Sequence, residues 1–169
     1  AREGEASFGS ANVRMQYFAQ NQADAMDLTK TVMRTIEDAS AEGAERSYNE
    51  LRALLGQFLF KGDDVQKKLE SLSGGEKARV ALCAMMLSPS NVLFLDEPTN
   101  HLDIPAKEML EDALRHFDGT VVVVSHDRYF VSQVANTIFN IEDQKLHRWD
   151  GDYASYMENK DDLRERVEG

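Results

Sequence analysis

The sequence predicts an α/β fold, a parallel sheet with crossover helices joined to a smaller α-helical part. Three observations carry this reading. Two short apolar runs, Val92-Leu93-Phe94-Leu95 and Val121-Val122-Val123-Val124, each end abruptly in polar residues, as strands of a parallel sheet do. Between them Pro105 suits the first turn of a helix and Gly119 its end. In three segments, 31–39, 47–60 and 78–85, the apolar positions recur at helical spacing.

Taken in order, Val13-Arg14-Met15-Gln16-Tyr17-Phe18 alternates as a short strand, and Gln20-Asn21-Gln22-Ala23-Asp24 follows as an exposed loop. Val32, Met33 and Ile36 predict a helix over 31–39. Leu51, Leu54, Leu55, Phe58 and Leu59 predict a stronger one over 47–60, with Gly43 between the two. The polar stretch 61–64 leads through Leu69 and Leu72 to Ser73-Gly74-Gly75, where a third helix opens. Ala78, Val80, Ala81, Leu82 and Met85 mark that helix, and Pro89 ends it. Residues 91–95 form a strand expected to be buried on both faces. The helix from Pro105 reaches Phe117 with Met109, Leu110, Ala113 and Leu114 inward. Residues 120–124 are β-branched throughout, which disfavours helix and suits a two-sided sheet. A short helix from Arg128, a hairpin of 137–141 with 145–149, and a charged helix over 152–167 complete the chain. This divides it into a strand and loop (1–24), a helical subdomain (25–88), an α/β core with its closing hairpin (89–150) and the C-terminal helix (151–169).

With 169 residues, 42% hydrophobic and 29% charged, the chain has the composition of one soluble globular domain. Its net charge of −11 withholds the overall positive field with which proteins approach nucleic acid or anionic membrane. Residues 1–85 carry 11 basic and 13 acidic groups, residues 86–169 carry 8 and 17, so any RNA-binding surface has to be local. The single cysteine, Cys83, excludes an internal disulfide and a multi-cysteine metal site, and fits a reducing compartment. The longest apolar stretches, 81–87 and 121–124, fall far short of the roughly 20 residues that span a bilayer, so membrane insertion is not expected. Residues 1–5 have neither an initiator Met nor a signal or transit character and read as a cut end.

Leu72-Ser73-Gly74-Gly75-Glu76-Lys77 places two glycines and a capping serine at a helix mouth, where free N–H groups and the positive dipole end suit phosphate oxygens. Val92-Leu93-Phe94-Leu95-Asp96-Glu97 ends a strand in two carboxylates, at the edge where ligands of parallel sheets bind. Asp96 can hold Mg²⁺, and Glu97 can orient or deprotonate an attacking water. His126, after the next strand, can donate to a phosphate oxygen. Gln20 offers a neutral oxygen to a metal or a water. His101, His116 and His147 read as structural.

Together these residues resemble the second part of an ATP-binding cassette domain, a partial P-loop NTPase core with its helical signature subdomain. Their pattern is most similar to the ABC-F family of translation-associated ATPases. Gln20 matches the Q-loop glutamine, residues 72–77 the signature, residues 92–97 the Walker B strand with its catalytic glutamate, and His126 the switch histidine. Pro98-Thr99-Asn100-His101-Leu102-Asp103 matches the D-loop region in its ABC-F form, and Glu76, Tyr17-Phe18-Ala19-Gln20 and Ser125-His126-Asp127-Arg128-Tyr129-Phe130 also fit that family.

The resemblance implies a head-to-tail sandwich with a second cassette, ATP and Mg²⁺ as cofactors, and a cytoplasmic, ribosome-engaging protein whose RNA contacts lie in missing parts. An organelle matrix stays open, since a targeting segment would be missing too. In this arrangement Gln20, Asp96, Glu97 and His126 face the ATP of their own cassette, with Asp96 and Gln20 at the Mg²⁺. Ser73, Gly74, Gly75 and Glu76 meet the partner's ATP, and Asp103 bridges the two. The alternatives are the nucleotide-binding domain of a membrane transporter and a non-catalytic piece. A P-loop is absent: no Gly-Lys pair occurs, and Ser10 stands where residues 4–11 would need a lysine. ATP hydrolysis is therefore expected of an intact protein and not of this segment alone. Asp143-Gln144 departs from the Asp-Gly common in relatives, and glutamine suits the positive φ of a tight hairpin turn poorly.

Overall fold

The computed structural model describes residues 12–168 except 20, 21, 42, 44, 45 and 143, and describes only the backbone of residues 24 and 161–168. The chain falls into two units, Ala1–Val124 and Ser125–Gly169.

In the first unit three strands, β1 (Met15–Phe18), β2 (Val92–Asp96) and β3 (Thr120–Val124), form a parallel sheet in the order β1-β2-β3. Asn91 sets their common start. Its side chain accepts from the Arg14 N–H at 2.9 Å and donates to the Asn12 carbonyl at 2.8 Å, while its own carbonyl accepts from the Thr120 N–H at 2.9 Å. The register follows, with Tyr17 beside Phe94 and Asp96 beside Val124.

Burial differs from the two-sided expectation. Leu93 and Leu95 are fully buried on one face of β2, but Val122 and Val124 of β3 are 39% and 46% exposed, and Met15 and Tyr17 of β1 are 45% exposed. Side chains alternate between faces along a strand, and only one face of this sheet is packed by the described residues. The β-branched run of β3 is thus a strand for the reason predicted, and among the described residues one of its faces is left exposed.

The helical part comprises α1 (Val32–Ala41), α2 (Tyr48–Gln57) and α3 (Gly74–Leu87). Val32, Ile36, Leu51, Leu55, Leu69, Val80 and Leu82 form its core, none more than 2% exposed. Each contributes roughly 1.5–3 kcal/mol of burial. Ser47 caps α2 through a reciprocal box: its N–H donates to Glu50 Oε2 at 2.8 Å, and the Glu50 N–H donates to Ser47 Oγ at 3.4 Å. The helix stops short of the predicted Phe60. Leu59 takes a left-handed φ of 68° and the Phe60 N–H donates back to the Leu55 carbonyl, so Phe58 and Phe60 are buried by a cap instead of a further helical turn. Residues 67–70 then pair antiparallel with the segment before α1, through Val32 N–H to Lys67 O, Leu69 N–H to Lys30 O and Glu70 N–H to Leu28 O. Those bonds fix the approach to Ser73. Helix α4 (Ile104–Arg115), with Ala106, Met109, Leu110 and Leu114 buried, connects β2 to β3.

The second unit holds α5 (Arg128–Val134), the antiparallel hairpin β4 (Thr137–Glu142) with β5 (Lys145–Asp150), and α6 (Tyr153–Glu168). Gln144 occupies the hairpin turn with φ 63°, the conformation that its side chain suits poorly. The Trp149 indole N–H donates to Ser155 Oγ at 3.0 Å and ties β5 to the start of α6.

Candidate functional site

Ser73 is the N-cap of α3. The Glu76 N–H donates to Ser73 Oγ at 3.2 Å, and the Ser73 N–H donates to Glu76 Oε2 at 2.8 Å. The polar atoms of Ser73 and Glu76 are thus spent largely on one another, a capping box that stabilises the helix start. The two glycines differ. A Cβ on Gly74 would meet nothing within 4 Å, so its backbone is open to an approaching group, whereas a Cβ on Gly75 would lie 2.9 Å from the His101 carbonyl oxygen. Gly75 is where the signature turn packs directly against the chain after β2.

That chain is built from two successive turns. The Asn100 N–H donates to the Glu97 carbonyl at 3.2 Å and the Leu102 N–H to the Thr99 carbonyl at 3.1 Å. Glu97 and His101 both adopt left-handed backbone, with φ of 48° and 65°. The Glu97 N–H also donates to the Val124 carbonyl at 2.8 Å and prolongs the ladder by one rung past Asp96. A non-glycine residue in this region carries strain of roughly 1–2 kcal/mol, held here by the ladder on one side and the turn on the other. Asp103 Oδ1 accepts the Ala106 N–H at 3.0 Å and caps α4. Within this unit a cleft of about 240 Å³ is lined by Gly74 and Ala78 of α3, Glu97, Asn100 and His101 of the turns, and Phe18 of β1. The structure therefore brings the glycine turn and the second strand-end carboxylate to one cleft, with His101, read from sequence as structural, on its wall.

Asp96 is half-buried, and its Oδ2 accepts the Tyr17 hydroxyl at 3.1 Å. That donation raises the Tyr17 phenol above its ordinary value, with desolvation adding to it. Tyr17 packs on Phe94 with ring centroids 5.4 Å apart. The sequence reading passed over Tyr17, although strand alternation puts it on the face of Phe94 and Asp96. Among the described residues no group of three or more His, Cys, Asp or Glu could hold a metal by itself. A strand-end carboxylate with one oxygen still available fits Mg²⁺, which keeps several waters and takes its remaining ligands from phosphates. Gln20 lies outside the described residues. His126 lies in the second unit as an exposed residue, followed by Asp127, whose Oδ1 caps α5 by accepting the Phe130 N–H at 3.1 Å.

The sequence matches the ABC transporter family profile over residues 4–100. It is 48% identical over 162 residues to ABC transporter F family member 5 of Arabidopsis thaliana, covering 96% of this chain and 23% of the relative. The chain thus spans about a quarter of the length of the curated relatives it matches. The fold is similar, with a TM-score of 0.64 at 21% identity, to the dimeric ATP-binding cassette MJ0796 in a post-hydrolysis state bound to ADP and Pi, over 82% of this chain and 63% of that one. It is similar, with a TM-score of 0.64 at 26% identity, to a chain in the complex of archaeal ribosomal stalk protein aP1 and ribosome recycling factor aABCE1, over 85% of this chain and 28% of that one. No helix among the described residues is long and apolar enough to cross a membrane. The strand-end carboxylates, the glycine turn and the sheet that orders them accord with the profile match over more than half the chain, and the chain belongs to the ABC transporter family.

Proposed function

We propose that this chain is the part of an ABC-F cassette that follows the phosphate loop, in a longer ATPase that engages the ribosome. The observation that carries the reading is Glu97, held at the end of β2 in strained backbone with the glycine turn of α3 across one cleft. A carboxylate at that strand end can take a proton from a water attacking the terminal phosphate. Mg²⁺, when bound, offsets charge on the phosphates and leaving group. Asp96 would hold that cation, and Gln20 would add a neutral oxygen to it. His126, by its place in the family pattern, donates to the transferred phosphoryl group. Gly74, with its open backbone, and Gly75, through the first N–H groups of α3, meet ATP carried by a second cassette, alongside the Ser73 hydroxyl. Asp103 sits between the two sites. One of the structures of similar fold is a complex of a ribosomal stalk protein with a ribosome recycling factor, which supports a ribosomal partner for this chain.

The test is Glu97→Gln in the full-length protein. ATP binding is retained, turnover is abolished, and the ATP-bound variant sediments with ribosomes. Normal hydrolysis removes Glu97 from its role, and recovery with membranes instead of ribosomes favours a transporter's nucleotide-binding domain.

A further inference from the structure

Tyr17 stands one rung before the end of β1, beside Phe94 of β2 in the parallel register. Alternation places Tyr17, Phe94 and Asp96 on one face, and the ring of Tyr17 rests on that of Phe94, 5.4 Å between centroids. Its hydroxyl thereby reaches past Phe94 to donate to Asp96 Oδ2 at 3.1 Å. The ring contact fixes the phenol, and the phenol fixes one carboxylate oxygen.

We propose that Tyr17 is a positioning residue for Asp96, holding Oδ2 so that Oδ1 is presented to a divalent cation or its bound water. The proposal rests on the reading of Asp96 as the residue that holds Mg²⁺. A carboxylate at a strand end rotates freely about its terminal torsion unless something binds one oxygen. Groups that hydrogen-bond a metal's carboxylate ligand set its orientation, and their loss weakens metal binding by about tenfold or more. No other hydrogen bond to the Asp96 carboxylate is formed among the described side chains within this distance range, so the orienting role falls on one hydroxyl.

Tyr17→Phe in the full-length protein removes that hydroxyl and keeps the ring on Phe94. Mn²⁺ affinity in the complex with a non-hydrolysable ATP analogue, read by electron paramagnetic resonance, falls about tenfold. The Mg²⁺ concentration for half-maximal turnover rises in step, turnover at saturating Mg²⁺ stays within about twofold, and the melting temperature is unchanged. Unaltered Mn²⁺ affinity overturns the proposal, as does a turnover loss that saturating Mg²⁺ does not restore. Asp96→Asn separates the two readings. If that variant loses Mn²⁺ affinity while Tyr17→Phe keeps it, only the role of Tyr17 fails; if Asp96→Asn also binds Mn²⁺ normally, the assignment of Asp96 fails and takes Tyr17 with it.

Discussion

Adjacent glycines at the mouth of α3 answer to different constraints, and single methyl groups separate them. A Cβ on Gly75 would sit 2.9 Å from the His101 carbonyl oxygen, closer than real Cβ atoms approach, and the obstacle is backbone that cannot swing aside. Relieving it moves the helix start or the turn after β2 by about half an ångström, an overpacking cost of roughly 1–3 kcal/mol. Replacing glycine by alanine within a helix returns up to about 1 kcal/mol. Gly75→Ala is therefore destabilised by about 1–2 kcal/mol net. Gly74→Ala meets nothing within 4 Å and is neutral or slightly stabilised. For a chain of this size the two variants should melt roughly 2–8 °C apart. Thermal unfolding followed by circular dichroism, with both variants beside the unsubstituted chain, measures the gap. ATP turnover of the full-length protein reads the other half of the argument, since the added methyl of Gly74→Ala lies in the cleft and lowers turnover without loss of stability. Equal melting temperatures for the two variants would refute the claim that Gly75 is a packing glycine.

Three further outcomes follow from single residues. Cys83 is fully buried and desolvation pushes its thiol up, so iodoacetamide labels it only after unfolding, which mass spectrometry of native and urea-treated chain resolves. Gln144→Gly relieves a φ of 63° and raises stability by about 0.5–1 kcal/mol in urea unfolding; an unchanged or lower midpoint contradicts the strain. Asp27 accepts both the N–H and the hydroxyl of Thr29, at 3.1 and 2.7 Å, which lowers its carboxyl below the ordinary value. A depressed folded-state pKa supplies stability above the unfolded value and loses it as pH falls through the folded one. Asp27→Asn therefore removes that contribution: the variant is less stable than the unsubstituted chain at neutral pH, the two converge as pH falls below about 4, and the acid limb of the stability profile is flatter.

The strands of the sheet were legible because two apolar runs end abruptly in polar residues with a helix from Pro105 to Gly119 between them, whereas their order with β1 was not read from the sequence. The burial of that sheet was not legible. Whether Val122 and Val124 lie inside depends on what covers their face, and a strand's own residues do not carry that information. The end of α2 was misread for a related reason, since Phe58, Leu59 and Phe60 continue the apolar pattern while the backbone leaves the helix through a left-handed residue. Long-range side-chain bonds are likewise invisible to periodicity. Asn91, which starts three strands, and Tyr17, which holds Asp96, lie 77 and 79 residues from Arg14 and Asp96 respectively.

The two capping boxes show where sequence reasoning about a site runs into geometry. Ser47-Tyr48-Asn49-Glu50 and Ser73-Gly74-Gly75-Glu76 share the same first and last residues, and both form the same reciprocal bonds at a helix start. The first is structural, with large side chains between its ends. In the second, Glu76 accepts the Ser73 N–H, so its carboxylate serves the helix and places negative charge near the turn. Under the proposed function, anion binding there would fall to the first backbone N–H groups of α3 at the glycines and to the hydroxyl proton that Ser73 can still donate, with the helix dipole behind them. On that reading a phosphate-facing turn differs from an ordinary cap not in its pair of polar residues but in the absence of side chains between them, an absence that leaves open space at Gly74 and lets the His101 carbonyl pack against Gly75.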